Sequence, residues 1–174
     1  MNTLRKAPVT TCCTMPSPLG DMLLVARDGA LAGIYFDGQK YFPRSDPAWR
    51  SDADVPVLRA ARRQLADYFA GARMQFDLPL APDAGTPFQR AVWGAIASIP
   101  WGATATYTEI AARAARAGSV RAAGAATGRN PWSIVVPCHR VLGVGGALTG
   151  YAGGLDRKRA LLALERRDLL TRAA

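Results

Sequence analysis

Pro79, Pro82 and Gly85 divide this chain into two stretches with different hydrophobic patterns, and that division constrains the fold more than any other feature. Proline fixes φ and lacks an N–H, so neither a helix nor a central strand runs through such a segment. Before it, Gly20 to Ala26 and Ala30 to Phe36 are apolar runs of strand length separated by Asp28-Gly29. A second Asp37-Gly38 follows, and the pattern predicts antiparallel hairpin structure. A polar, proline-containing loop runs from Gln39 to Asp54. Then Leu58, Ala61, Leu65, Tyr68 and Phe69 recur at helical spacing and predict an amphipathic helix from about Pro56 to Ala70.

After the prolines the signals are helical. Thr86-Pro87-Phe88-Gln89 is a capping box with proline at the first helical position, followed by Phe88, Val92, Ile96 and Ile99 on one stripe. Pro100-Trp101-Gly102 ends that helix. A second capping box, Thr106-Tyr107-Thr108-Glu109, starts a short helix to about Ala114, and Gly118-Ser119 separates it from another over about Val120 to Thr127. Two short helices joined by a tight turn outline a helix-turn-helix. The expected fold is α+β: a small N-terminal antiparallel-sheet and helix domain over residues 1–82, and a mostly helical C-terminal domain with a helix-turn-helix over 83–174.

With 49% hydrophobic and 20% charged residues, and no apolar run near the roughly 20 residues that span a bilayer, no membrane association is expected. Met1 to Pro8 carries Arg5 and Lys6 without an apolar run behind them, and three cysteines, two of them the adjacent Cys12 and Cys13, make no disulfide framework. The compartment expected is the cytoplasm. His139 is the single histidine and no Cys-x-x-Cys accompanies it, so neither a metal nor another cofactor is expected. Residues 1–80 hold 10 Lys and Arg against 8 Asp and Glu, whereas residues 81–174 hold 12 against 5. A basic half suits a polyanion, since cations displace counterions from phosphates, but a solvated Arg-rich surface gives the same count.

The helix Val120-Arg121-Ala122-Ala123-Gly124-Ala125-Ala126 carries one long side chain, Arg121. Small residues suit a helix that must approach another backbone closely. They also suit an ordinary surface helix, since alanine is the best helix former.

The most specific stretch is Arg129-Asn130-Pro131-Trp132-Ser133-Ile134-Val135-Val136-Pro137-Cys138-His139-Arg140-Val141. It resembles the methylated-DNA protein-cysteine methyltransferases, or O6-alkylguanine-DNA alkyltransferases, whose hallmark is Pro-Cys-His-Arg-Val after a buried strand with Asn-Pro upstream. The match continues collinearly from Thr86-Pro87-Phe88 through Tyr107, Arg121 and Asn130 to Gly150-Tyr151-Ala152-Gly153-Gly154-Leu155 and Glu165, roughly half the chain. In residues 1–80 it rests on Ser17-Pro18-Leu19-Gly20 and the order of hairpin then helix.

The resemblance implies a DNA-repair protein that moves a methyl or alkyl group from O6-alkylguanine, with O4-alkylthymine a further candidate, onto its own Cys138. Transfer would be irreversible and occur once per molecule, after base flipping. Residues 83–174 would bind DNA and carry the chemistry, and residues 1–82 would support them. The implied partner is double-stranded DNA containing alkylated guanine, with the protein a monomer.

Such a displacement at carbon calls for a soft nucleophile, and a thiolate is the best that side chains offer. Free cysteine, with a pKa of about 8.5, needs a base, and a histidine oriented by a carboxylate supplies one. Cys138, His139 and Glu165 are the candidates, with Asn130 grouped with them as catalytic. Neighbours in an extended segment face opposite ways, so the resemblance implies a water between thiol and imidazole. It implies Tyr107 as the proton donor to the leaving guanine and as a DNA contact. It also implies that the main chain of Cys138, Val141 and Ala152 reads the base, with Tyr151 packed on it. Many family members have serine where this chain has Ala152, which removes a hydroxyl but keeps the backbone. Arg121 would fill the space left by the flipped base. Arg129, Arg140 and the run Arg157-Lys158-Arg159 are candidate phosphate contacts. Two other classes compete: a cysteine hydrolase, which would turn over repeatedly, and a non-catalytic binder of alkylated DNA.

Overall fold

The computed structural model describes residues 9–44, 46–114 and 118–172, with side chains as far as Arg166. Asp28 and Gly29, at φ 51° and 79°, make the left-handed two-residue turn that Asp-Gly favours. That turn joins β2 (Met22–Arg27) antiparallel to β3 (Ala30–Phe36). The sequence did not flag β1 (Thr10–Met15), which pairs antiparallel with β2 and buries Cys13 and Met15 by alternation. A two-residue strand, β4 (Arg50–Ser51), pairs parallel with β1, so the sheet β3-β2-β1-β4 is mixed at one edge. Helix α1 (Pro56–Phe69) begins on its proline and buries Leu58, Ala61, Leu65 and Tyr68.

The proline segment is less free than its composition suggests. The Leu31 N–H donates to the Pro79 carbonyl at 2.7 Å, and the Ala81 N–H donates back to the Leu31 carbonyl at 2.9 Å. Arg27 grips both oxygens of Asp83 at 2.7 and 2.8 Å. The segment is therefore laid along β3 and fixed to the sheet before the chain enters the second half.

Both capping boxes close as expected. Thr86 and Gln89 start α2 (Pro87–Ala97), and Thr106 and Glu109 start α3 (Tyr107–Arg113), each pair exchanging two bonds. Helix α4 (Val120–Gly128) follows; residues 115–117 of the connection lie outside the described residues. The short strands β5 (Ala105–Thr106) and β6 (Val141–Leu142) pair in parallel, which sets the start of α3 beside the chain leaving Cys138. Helix α5 (Leu155–Arg172) closes the fold.

One core runs through both halves. Trp132 is its pivot, with its ring edge-on to Trp93 at 5.5 Å. Its indole N–H donates to the Leu31 carbonyl at 2.8 Å, while that of Trp93 donates to the Ala126 carbonyl at 2.8 Å. Each indole is worth burying only because its one donor is satisfied. Sheet, helix-turn-helix and the segment leading to Cys138 are thereby fixed to each other.

Candidate active site

Residues 131–137 do not form the buried strand expected. They turn, with Ile134 at φ 73°, and Cys138 opens a tight helical turn, Cys138–Arg140. A β-branched residue in the left-handed region costs on the order of 1–3 kcal/mol and persists only where neighbours over-determine it. Here they do: the Ile34 N–H donates to the Pro131 carbonyl at 2.7 Å, the Ser133 N–H to the Ile34 carbonyl at 3.2 Å, and the Val136 N–H to the Trp132 carbonyl at 2.9 Å. Three-residue helical geometry spaces neighbouring side chains about 120° apart. Cys138 and His139 thus do not face opposite ways as they would in a strand.

Asn130 holds the thiol. Its amide donates to the Val136 carbonyl at 2.8 Å and to Cys138 Sγ at 3.1 Å, and its oxygen accepts the Trp132 N–H at 3.0 Å. Burial pushes the Cys138 thiol up, and the Asn130 bond and the nearby Lys158 charge only partly pull it back. The resting group is a thiol, not a thiolate.

Behind it lies a buried charge network. His139 Nε2 sits 2.7 Å from Glu165 Oε1. Burial alone would raise Glu165, but hydrogen bonds and charge from His139 and Arg140 outweigh it and hold the carboxyl at about 2. A carboxylate can only accept, so His139 carries its proton on Nε2 and leaves Nδ1 as the acceptor. That Nδ1 is buried and makes no hydrogen bond among the described residues. Burial lowers the imidazole despite Glu165, so it rests neutral, ready to take a proton.

Arg140 was expected at phosphate, and the structure corrects this. Its Nε and NH2 donate to Glu165 Oε2 and Oε1 at 2.8 and 3.0 Å, and its NH1 donates to the Ile99 carbonyl at 2.6 Å. The guanidinium is buried, and each of its three nitrogens donates within the protein. Tyr68 Oη adds a bond to Glu165 Oε1 at 2.9 Å, so α1 of the N-terminal half reaches the catalytic cluster.

Cys138 opens on a cleft of about 520 Å³, within the range of small-ligand sites, with Tyr107, Arg121, Gly124, Tyr151 and Ala152 among its walls. The walls explain the composition of α4: Ala123 and Ala126 pack inward, Arg121, Gly124 and Ala125 face the cleft, and the buried Thr127 borders both. Tyr107 Oη donates towards the Gly150 and Thr149 carbonyls at 3.1 and 3.2 Å, and burial raises its pKa, which keeps the phenol protonated. Val141 is fully buried and does not line the cleft; its carbonyl accepts Lys158 Nζ at 2.6 Å. The Ala152 carbonyl accepts the Lys40 N–H at 2.9 Å. A carbonyl has a second lone pair, so neither acceptor is exhausted. Arg129 stands exposed beside Tyr41, 4.7 Å from its ring centre.

Sequence reasoning missed Lys158, which it grouped with Arg157 and Arg159 as a phosphate-facing run. Lys158 is fully buried and gives its protons to the Val141, Thr149 and Gly150 carbonyls at 2.6, 2.9 and 3.4 Å. Burial lowers it to about 8, and the charge of Cys138 once ionised pulls the other way. Arg157 is spent on the Leu19, Gly153 and Asp37 carbonyls, and Arg159 pairs with Asp156. The usable signal was spacing: Lys158, Leu161, Leu162 and Glu165 stand at i, i+3, i+4 and i+7, the buried face of α5.

Comparison with known proteins gives matches along most of the chain. Residues 11–82 match a family model described as 6-O-methylguanine DNA methyltransferase, ribonuclease-like domain, and residues 87–167 match 6-O-methylguanine DNA methyltransferase, DNA binding domain. A methylated-DNA--protein-cysteine methyltransferase of Mycolicibacterium paratuberculosis is 47% identical over 154 residues, 88% of this chain and 91% of its own. One from Methanosarcina acetivorans is 47% identical over 150 residues, 86% of this chain and 94% of its own. Among solved structures, Mycobacterium tuberculosis OGT in complex with DNA is similar with a TM-score of 0.81 at 42% identity, covering 91% of this chain and 93% of that one.

Proposed function

The chain belongs to the methylated-DNA protein-cysteine methyltransferase family, and from that premise we propose how its residues divide the work. It is a DNA-repair transferase that takes a methyl or alkyl group from O6 of guanine onto its own cysteine, once per molecule. The observation that carries the assignment of roles is the buried Cys138 Sγ, 3.1 Å from Asn130 Nδ2 on the wall of a cleft, with a His139–Glu165 pair behind it.

The Cys138 proton passes through a water to His139 Nδ1, the ring nitrogen left as acceptor. Glu165 and the fixed Nε2–H orient the ring and stabilise the imidazolium. The thiolate, stabilised by Asn130 and the Lys158 ammonium, attacks the alkyl carbon. A carbon–sulfur bond forms as the carbon–O6 bond breaks, and Tyr107 donates a proton to the departing guanine. His139 returns the thiol's proton to Tyr107, so the products are a thioether and guanine.

The base reaches the thiol only by leaving the stack, and Arg121, exposed at the cleft mouth on α4, takes its place. The main chain of Cys138 and Ala152 reads the base edge with Tyr151 against it, while Val141, buried away from the cleft, acts through the Lys158 ammonium that its carbonyl holds, and Arg129 meets phosphate. Residues 83–174 carry the chemistry and DNA contact, and residues 1–82 support them. The cleft is complete within one chain, which supports action as a monomer, and a reduced Cys138 beside free Cys12 and Cys13 suits the cytoplasm. Alkylated duplex separates the classes: one alkyl group per protein supports repair, repeated turnover a hydrolase, and binding without transfer a lesion binder.

Arg121→Ala is expected to slow transfer from a methylated duplex about tenfold or more, because unstacking costs a few kcal/mol that the arginine offsets. Free O6-benzylguanine, which needs no flipping, should be affected far less. Equal losses on the two substrates, measured as second-order rates, would remove Arg121 from the flipping step.

A further inference from the structure

Tyr41 stands out because nothing in the fold calls for it. It sits at φ 62° in a turn whose Phe42 N–H donates to the Gln39 carbonyl at 3.3 Å, a position that glycine occupies without strain. Its side chain is 44% exposed, so burial does not repay the conformation. The turn is nonetheless firmly placed. Gln39 is buried, its Oε1 accepts the Phe36 N–H at 2.8 Å and the Ser133 hydroxyl at 3.4 Å, and the next residue donates its N–H to Ala152.

That placement sets Lys40 and Tyr41, from the N-terminal half, on the wall of the cleft that holds Cys138. The Tyr41 ring lies 3.8 Å from where a side chain at Gly128 would begin, and two cations sit against it: Lys40 Nζ at 5.0 Å and Arg129 Cζ at 4.7 Å from the ring centre. Among the described residues neither cation has a carboxylate within salt-bridge distance. Two uncompensated positive charges are thus held over one exposed aromatic ring at the mouth of the reactive cleft. A nucleotide rotated into that cleft brings its own phosphodiester to the mouth, since the chain on either side stays in the strand.

We infer that Lys40, Tyr41 and Arg129 form a rim that grips the backbone of the extrahelical nucleotide, phosphate on the two cations and sugar against the ring. The N-terminal half then contacts DNA directly and does more than support the catalytic residues. This rests on the DNA-repair reading above and extends it to residues outside the helix-turn-helix.

The test compares second-order transfer rates from methylated duplex and from free O6-benzylguanine, which has neither sugar nor phosphate. Wild-type protein must first alkylate Cys138 with both substrates; if it does not, the repair reading fails before the rim is tested. Tyr41→Ala is expected to lower the ratio of duplex to free-base rate about tenfold, the scale of losing one aromatic contact to a nucleotide, while Tyr41→Phe keeps the ratio. Lys40→Ala should reduce the slope of log affinity against log salt by about 0.9, the signature of one lost phosphate contact. Tyr41→Gly separates function from structure: relief of the left-handed strain should raise the thermal midpoint while the duplex rate falls. An unchanged ratio in Tyr41→Ala, an equal loss on both substrates, or an unchanged salt slope in Lys40→Ala would overturn the rim.

Discussion

Mixed with an excess of methylated duplex, the protein should show one burst of transfer equal to its active concentration, and then stop. Regenerating Cys138 would require its thiolate to leave an unactivated alkyl carbon, and from a neutral thioether it is too poor a leaving group for a water to displace at a useful rate. The modified chain should gain the mass of one CH2, on the peptide containing Pro137-Cys138-His139. Cys138→Ala should bind the duplex yet transfer nothing, a loss of several orders of magnitude, since among the described residues no other thiol lines the cleft and its hydroxyl and amine groups are far weaker nucleophiles toward an alkyl carbon. Cys12→Ala and Cys13→Ala should react normally. Cys13 is buried in β1, where burial raises its pKa, and Cys12 stands on the same strand away from the cleft. Sustained turnover, or alkyl groups on another residue, would overturn this mechanism.

What the sequence could and could not reveal follows from the range of the forces involved. The starts of α2 and α3 were legible because a capping box is local chemistry: Thr86 with Gln89, and Thr106 with Glu109, satisfy each other's backbone within four residues. The Cys138 site was legible as a motif. Strand β1 was not, because Thr10-Thr11-Cys12-Cys13-Thr14-Met15 has little apolar bulk and becomes a strand by pairing with β2. The basic residues were read least well. Whether a cation faces solvent or fills the interior depends on carbonyls and carboxylates far away in sequence. Arg140 is buried because Glu165 and the Ile99 carbonyl meet it, and Lys158 because three carbonyls meet it. Arg121, whose neighbours on α4 are small, stands exposed.

Glu165→Gln should therefore damage stability and chemistry together, and pH separates the two. The carboxylate accepts from Tyr68, His139 and Arg140 at 2.7–3.0 Å, so the amide would set an NH2 group against donors and leave the Arg140 guanidinium short of its counter-charge. Removing one partner of a buried ion pair costs about 3–5 kcal/mol. The acid–base linkage gives a similar size: a carboxyl lowered from 4.5 to about 2 on folding contributes on the order of 3 kcal/mol. Because the folded pKa is depressed, that stability is present above about pH 4.5 and is lost as pH falls towards 2. The thermal midpoint of the variant should lie about 6–12 °C below wild type at pH 7, and the gap should shrink by roughly half near pH 3. On the chemistry, the variant imidazole loses the acceptor that fixes Nε2–H and stabilises its cation, so transfer at neutral pH should slow by about 10²–10⁴-fold. Raising the pH ionises Cys138 without the base and should restore part of that rate, provided it is measured well below the variant's midpoint. A purely structural Glu165 would give a slowed rate that higher pH does not restore, and that result would take it out of the relay.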